Sequence, residues 1–175
     1  MRLILILLIL CLHSHARHYI GVSTFDITVQ TSSKDNDVKN YRNSGMGYGL
    51  QYGYKIQTYA SEISYKVYRI DGNSNELSIN NKYLNLGFRL FLGWFSFKLG
   101  VAINDSVGET QGGAEKYEST NSTLSYGLGG RYSFDWRGSE WDVFGDLNIH
   151  SVEDLDKVDS NFIMRELEFG LRLWF

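Results

Sequence analysis

The segment LEFGLRLWF, residues 167–175, decides how this chain is expected to fold. Its odd-numbered positions are all Leu or Phe, and its even-numbered positions are Glu168, Gly170, Arg172 and Trp174. Because successive side chains of a β-strand point to opposite faces, the segment predicts a strand with one wholly apolar face. Chain termini are usually polar and poorly ordered, so an apolar terminal strand favours a barrel that closes in lipid.

The composition agrees with a single domain made mostly of paired strands. The chain has 175 residues, 15% of them aromatic, and it has no proline. Proline is rare in sheets because it lacks the N–H group that the ladder needs. The net charge of −3 is small and negative, and it gives no sign of the basic surface that binds nucleic acid. No nucleic-acid partner is therefore expected.

The first sixteen residues have the pattern of an export signal. Arg2 is followed by an unbroken apolar run over residues 3–12, and the triplet 14–16 (Ser-His-Ala) has the small-x-small form of a cleavage site. The run is shorter than the roughly 20 residues that a transmembrane helix requires. We therefore predict a signal peptide over residues 1–16 and a barrel domain over residues 17–175.

Beyond the signal, eight stretches alternate between apolar and polar residues, which is the pattern of β-strands. We predict strands over about 18–30, 44–56, 59–70, 78–91, 94–104, 122–134, 140–150 and 161–175. The parity of the first strand is ambiguous, because Ile20 and Val22 lie on one parity while Phe25 and Ile27 lie on the other. A β-bulge would reconcile the two sets.

The connections between these strands alternate between longer and tighter ones. The longer connections are 31–43, 71–76, 105–121 and 151–160, and the tighter ones lie near residues 57, 92 and 137. An antiparallel meander puts all the longer loops at one end, as in outer-membrane barrels with short periplasmic turns. The predicted fold is therefore an all-β, eight-stranded antiparallel up-and-down transmembrane β-barrel. Such a protein would be an integral, multi-pass protein of the bacterial outer membrane.

Alternation alone also fits a soluble, lipocalin-like barrel with its apolar face inward. The polar face, however, carries a nearly balanced set of charges, as an enclosed interior of paired charges requires. This set is Lys55, Glu62, Lys66, Arg89, Lys98, Arg131, Asp142, Asp146, Glu166, Glu168 and Arg172. The same face is rich in glycine, and aromatic residues lie near the predicted strand ends, where membrane girdles occur. These aromatic residues are Tyr48, Tyr54, Tyr59, Trp141 and Trp174.

The strand count and the segments SYGLGGRYSF (125–134) and FGLRLWF (169–175) resemble the small eight-stranded outer-membrane barrels of the OmpX/Ail and OmpA-transmembrane-domain type. The resemblance implies that alternate apolar residues of the last strand are read by the barrel-assembly machinery. These residues are Leu167, Phe169, Leu171, Leu173 and Phe175. The expected surroundings are outer-membrane lipid and lipopolysaccharide, and the expected state is a monomer.

An eight-stranded barrel has an interior that side chains fill, so a wide pore is not expected. We predict a non-enzymatic surface protein, structural or adhesin-like, that binds an extracellular ligand through its longer loops. No cofactor is predicted. No metal site is predicted either, because the sequence has no His/Cys cluster with metal-ligand spacing.

Two alternatives stay open. Lipid A-modifying enzymes among such barrels use His with Ser and an acid, and His150 is the one weak catalytic candidate. Ser151 follows it directly, so the two side chains should point to opposite faces, which counts against a shared site. The second alternative is a narrow conduit for small solutes or ions, which would require interior salt bridges to shift.

Overall fold

The computed structural model is a closed antiparallel β-barrel of eight strands. It describes residues 16–33, 42–70, 78–109, 116–152 and 160–175. The strands are β1 (Ala16–Ser33), β2 (Arg42–Ile56), β3 (Tyr59–Ile70), β4 (Ser78–Leu92), β5 (Phe95–Glu109), β6 (Lys116–Trp136), β7 (Ser139–Val152) and β8 (Ser160–Trp174). They follow one another around the barrel in chain order, and β8 closes on β1. The predicted fold class is confirmed.

The backbone register shows that the strands are tilted. Starting at Tyr19, the paired residues on successive strands lead through Gly53 and Glu62 to Met164 on β8. The partner of Met164 on β1 is Val29, so the circuit returns further along β1 than it began. A barrel with such a stagger has strands tilted by roughly 35–45° to its axis. The tilt brings residues from different strand positions to the same height.

The side chains of the first strand alternate regularly between the two faces, so the prediction of a β-bulge is wrong. Its register with β2 is uninterrupted. Ile20 and Val22 point outward, whereas Phe25 and Ile27 are buried inside the barrel. The apolar residues change parity along β1 because the barrel interior contains an apolar cluster at that height, and not because the strand changes register.

Three two-residue turns connect β2 to β3, β4 to β5 and β6 to β7. Gln57, Gly93 and Arg137, the first residues of these turns, have φ of 56°, 65° and 53°. Positive φ at this position gives a turn whose twist matches the flanking strands. The predicted turn near residue 92 is displaced by one residue. Leu92 still belongs to β4, and the turn is Gly93-Trp94.

At the opposite end, the strands continue into segments that were predicted as loops. β5 and β6 take up most of the predicted connection 105–121. The sequence of this segment lacks the apolar-polar alternation by which strands are recognised. The remaining parts of the four longer connections, 34–41, 71–77, 110–115 and 153–159, lie outside the described residues.

The two faces of the barrel have opposite chemistry. The outer surface is covered by exposed large hydrophobic side chains, and the interior contains buried charged and polar ones. The lipocalin-like alternative, with its apolar face inward, is therefore wrong. Tyr48 and Tyr59 point outward as predicted for girdle residues, but Trp174 is only 3% exposed and lies inside the barrel. Trp174 is two residues from Arg172 on β8, so both side chains point to the same face, which is the interior.

Candidate functional site

The first group of interior charges is centred on Arg89 of β4. Its guanidinium donates to Asp146 Oδ2 at 2.6 Å and to Glu62 Oε2 at 2.8 Å. Lys98 Nζ lies 2.6 Å from Glu62 Oε1, and Arg172 Nη2 lies 3.4 Å from Asp146 Oδ2. We call these five buried side chains the central cluster. It holds three cations and two carboxylates.

The second group, nearer the loop end of the barrel, is centred on Lys66 of β3. Its ammonium donates to Glu166 and, at 2.6 Å, to Glu168. The Asn148 amide donates to the same two carboxylates at 2.8 and 3.1 Å, and the Tyr83 hydroxyl donates to Glu166. We call Lys66, Glu166 and Glu168 the upper cluster. It holds one cation and two carboxylates, so its excess acid balances the excess cation of the central cluster.

A third group of charges lies at the end of the barrel where β1 begins and β8 ends. Arg131 Nη1 lies 3.2 Å from Asp142 Oδ2, and the Ser133 hydroxyl donates to Asp142 Oδ1 at 2.6 Å. Arg17 Nη1 donates to Glu140 Oε2 at 2.6 Å. Arg17, Glu140 and Arg131 are partly open to solvent, in contrast to the two clusters above, whereas Asp142 is fully buried.

Two apolar groups lie beyond the buried clusters, one toward each end of the barrel. The group toward the loop end contains Phe25, Ile27, Tyr68, Ile70, Tyr83, Ala102 and Met164. The group toward the turn end contains Tyr19, Ala60, Phe91 and Trp174. Within the described part of the chain, the central and upper clusters are thus enclosed between two apolar layers. In such surroundings an unpaired charge is costly, so each cluster depends on its internal pairing.

All eleven charged residues predicted for the polar face point into the barrel. Ten of them form an ion pair with another member of the set. Lys55 is different, because within the described ranges its contacts are with two aromatic rings, Phe91 and Trp174. The sequence analysis missed the hydroxyl of Tyr19, which donates to Glu62 at 2.5 Å. Because the parity of the first strand was ambiguous, the sequence did not show that Tyr19 points into the barrel.

His150, the weak catalytic candidate, is buried inside the barrel. Its side chain is 1% exposed, and its Nε2 lies 3.7 Å from Glu166 Oε2. The ring packs edge-on against Tyr83, with 5.4 Å between ring centroids. A substrate on the outer surface could not reach this imidazole, so the geometry does not support a catalytic role for His150.

The residues predicted as the assembly signal all lie on the outer side of β8. Leu167, Phe169, Leu171 and Phe175 are exposed on the outer surface, and Leu173 is half-buried there. Phe175 exchanges two backbone hydrogen bonds with His18 at 2.9 Å, which extends the pairing of the closing strands to the last residue. Recognition of this set by the assembly machinery remains a prediction.

The described residues form no helix that is long and apolar enough to cross a membrane. No group of three or more His, Cys, Asp or Glu side chains in these ranges is arranged to hold a metal ion.

Comparison with known proteins gives a family and several similar folds. The sequence matches the family described as outer membrane protein beta-barrel domain over residues 3–171. Ail, the attachment invasion locus protein of Yersinia pestis, is similar at 16% identity and a TM-score of 0.54, over 88% of this chain and 97% of Ail. Neisserial surface protein A (NspA) is similar at 16% identity and a TM-score of 0.53, over 87% of this chain and 95% of NspA.

A further structure of Yersinia pestis Ail, in complex with the heparin analogue sucrose octasulfate, is similar at 14% identity and a TM-score of 0.55. The match covers 90% of this chain and 99% of that one. No curated protein sequence is significantly similar to this chain. At these identities the solved structures support the fold alone.

Proposed function

Because this chain belongs to the outer membrane protein beta-barrel domain family, and is thus an integral protein of the bacterial outer membrane, we propose that it acts as a surface-interaction protein. In this proposal the barrel is a rigid, closed scaffold, and its loop end binds an extracellular partner in an adhesin-like manner. Rigid scaffolds commonly present binding residues on the segments that connect their strands.

The observation that carries this proposal is the length of β6. Its pairing with β5 extends from Gly130 to Lys116, whereas its pairing with β7 extends only from Trp136 to Leu124. The β5–β6 hairpin therefore extends beyond the described residues of β7 that pair with β6.

A hairpin that extends in this way can present its residues to a partner outside the membrane. Residues 116–123 of this hairpin read KYESTNST, which is polar and suited to an aqueous surface. The partner proposed for this hairpin is another protein.

The names of two similar proteins are in line with this proposal. Ail is an attachment and invasion locus protein, and NspA is a surface protein. Both share the barrel fold with this chain, and this supports a role at the cell surface.

The experiment is to shorten the β5–β6 hairpin and measure binding of cells to host surfaces. A variant lacking residues 107–118 removes matched positions from both strands, because Val107 pairs with Glu118. A matched control lacks residues 71–77, in the neighbouring connection between β3 and β4. We expect non-adherent bacteria that produce the intact protein, or the control, to attach to epithelial cells and matrix proteins, and bacteria with the shortened hairpin not to attach. Equal attachment by all three would contradict the proposal.

The two alternative functions find less support. A conduit for ions would need both apolar layers and the ion pairs between them to separate. A lipid A-modifying enzyme would need a reachable base, and His150 is enclosed.

We propose further that residues 1–16 are removed on export and that the loop end faces the outside of the cell. β1 begins at Ala16, next to the predicted cleavage site. Amino-terminal sequencing of the outer-membrane fraction should give Arg17 as the first residue, and protease added to intact cells should cut within 31–43, 105–121 or 151–160. An uncleaved chain would contradict the first prediction, and cutting only at the two-residue turns would contradict the second.

A further inference from the structure

At the turn end of the barrel, three cationic side chains surround one indole ring. Lys55 Nζ, Arg17 Cζ and Arg131 Cζ lie 5.1, 5.2 and 5.7 Å from the centroid of the Trp174 ring. Lys55 and Arg131 also lie over Phe91, at 5.1 and 4.7 Å. We call Arg17, Lys55, Arg131 and Trp174 the mouth cluster. They come from four strands that are brought together only by closure of the barrel.

The carboxylates near the mouth cluster are already engaged. Glu140 accepts from Arg17 at 2.6 Å, and Asp142 accepts from Arg131 at 3.2 Å. Lys55 lies among these groups and interacts electrostatically with Glu140 and Asp142, but within the described residues it forms no ion pair with either of them and lies over the Phe91 and Trp174 rings. A further exposed acid, Asp135, lies beyond Glu140 on the adjoining strand.

Trp174 adds a second and independent observation. Its Nε1 is buried and has no hydrogen-bond acceptor in the part of the chain that the structure describes, although the indole N–H is a donor that usually finds a partner when buried. The Lys55 ammonium and the Trp174 N–H can both only donate hydrogen bonds. A ligand that satisfies both must accept hydrogen bonds and should carry negative charge.

We propose that the mouth cluster binds an oxyanion of the phosphate class, held by Lys55 and the Trp174 N–H and flanked by the guanidinium groups of Arg17 and Arg131. Phosphate has several acceptor oxygens and can therefore bind an ammonium and an N–H group together. In the orientation proposed above this mouth faces the periplasm, so the phosphate is either free in solution or part of an inner-leaflet lipid. The site is distinct from the surface-binding end of the barrel and does not depend on it.

Trp174 provides a direct measurement, because the chain has only four tryptophans and each gives one indole N–H signal in an NMR spectrum. The Trp174 signal is assigned as the one that is lost in Trp174→Phe. The protein is refolded in a phosphate-free detergent and titrated with inorganic phosphate, with sodium chloride at equal ionic strength as a control. We expect a saturable shift of the Trp174 signal with phosphate alone.

Substitutions separate binding from a packing role. Lys55→Gln should weaken phosphate binding by about tenfold, as expected for loss of one charge-assisted hydrogen bond. Arg137→Gln is the matched control, since Arg137 lies in the adjacent turn over Trp136 and outside the cluster. If Trp174→Phe does not fold, the Trp174 signal is identified as the indole N–H signal whose response to phosphate is weakened in Lys55→Gln.

Lipid nanodiscs distinguish the two sources of phosphate. A shift that appears on adding inorganic phosphate supports the site with a free anion. A shift seen only in phosphatidylglycerol nanodiscs, compared with phosphatidylcholine ones, supports it with a lipid headgroup. No shift in either case, an equal shift with sodium chloride, or an unchanged affinity in Lys55→Gln would overturn the proposal.

Discussion

Arg89 on β4 and Asp146 on β7 form an ion pair across the barrel interior, with 2.6 Å between Arg89 Nη2 and Asp146 Oδ2 and with both side chains almost fully buried. The two residues are 57 positions apart in the chain and lie on strands that are not neighbours. The same guanidinium donates to Glu62 of β3, so one side chain connects three strands through the middle of the barrel. The interior charges therefore act as crosslinks between strands.

Removing Arg89 should destabilise the barrel more than removing Arg131. Arg89→Ala leaves Glu62 and Asp146 without their main partner in an enclosed interior, and breaking such a pair costs about 3–5 kcal/mol. Arg131→Ala leaves one buried carboxylate, Asp142, which keeps its 2.6 Å hydrogen bond from Ser133, so the expected cost is lower, about 1–3 kcal/mol. The measurement is the urea midpoint of the heat-modifiable folded band in detergent. Equal midpoints for the two variants would mean that the central cluster is hydrated.

The upper cluster should tolerate loss of an acid better than loss of its cation. Lys66→Met leaves two buried carboxylates facing each other, with an expected cost of about 3–5 kcal/mol in the free energy of unfolding. Glu168→Gln removes the excess negative charge and keeps the shape, so its expected cost is below about 1.5 kcal/mol.

The double variant tests whether the two residues are coupled. Adding Glu168→Gln to Lys66→Met should recover part of the lost stability, because one unpaired charge is removed. Strictly additive losses would contradict the pairing of Lys66 with Glu168.

Gly170 on β8 should not accept a methyl group. A Cβ built there would lie 2.3 Å from the Val22 carbonyl oxygen and 2.6 Å from the Phe144 ring. Gly170→Ala should therefore cost about 1–3 kcal/mol through overpacking.

Gly145→Ala is the matched control, since its Cβ would lie 3.2 Å from the lipid-exposed Phe169 ring and at an ordinary contact distance of 3.8 Å from the Glu168 carbonyl oxygen. Unfolding midpoints in the same detergent decide the prediction. A Gly170→Ala variant as stable as Gly145→Ala would show that the closing strands are less closely packed than described.

Phe175 should matter for assembly more than for the stability of the finished barrel. It stacks on His18 with 5.8 Å between ring centroids, and its side chain is otherwise exposed to lipid. Phe175→Gln should reduce the amount of folded protein in the outer membrane, while protein refolded in detergent should keep its unfolding midpoint. Shortening the loop at 71–77 is the control. Normal outer-membrane levels of Phe175→Gln would contradict the predicted assembly signal.

The sequence was most informative where one face of a strand lies in lipid. On β3 the predicted bounds agree with the structure, because Tyr59, Ile63 and Tyr65 alternate with Ala60 and Glu62 over the whole strand. It was least informative beyond the membrane, where the polar segment 105–121 gave no alternation and yet forms much of the β5–β6 hairpin. Strand pairing continues there although the sequence does not alternate.

Trp174 and the first strand show a second limit. Aromatic residues near strand ends were predicted as girdle residues by composition, but Trp174 points inward because parity and not residue type decides the face. On β1, Phe25 and Ile27 are apolar and would be expected on the outer face, yet they lie inside the barrel. In each case a neighbour from another strand provides the packing surface, and no local pattern could reveal it.

The sequence by itself determined the number of strands, the position of the tight turns and the face to which most charges belong, because a period of two is a local property of the backbone. Only the tertiary structure decided which charge pairs with which. Lys66 meets Glu166 across 100 residues of chain, and Arg17, Lys55 and Arg131 meet at Trp174. These partners follow from the stagger and tilt of the closed barrel, which depend on the pairing of all eight strands at once.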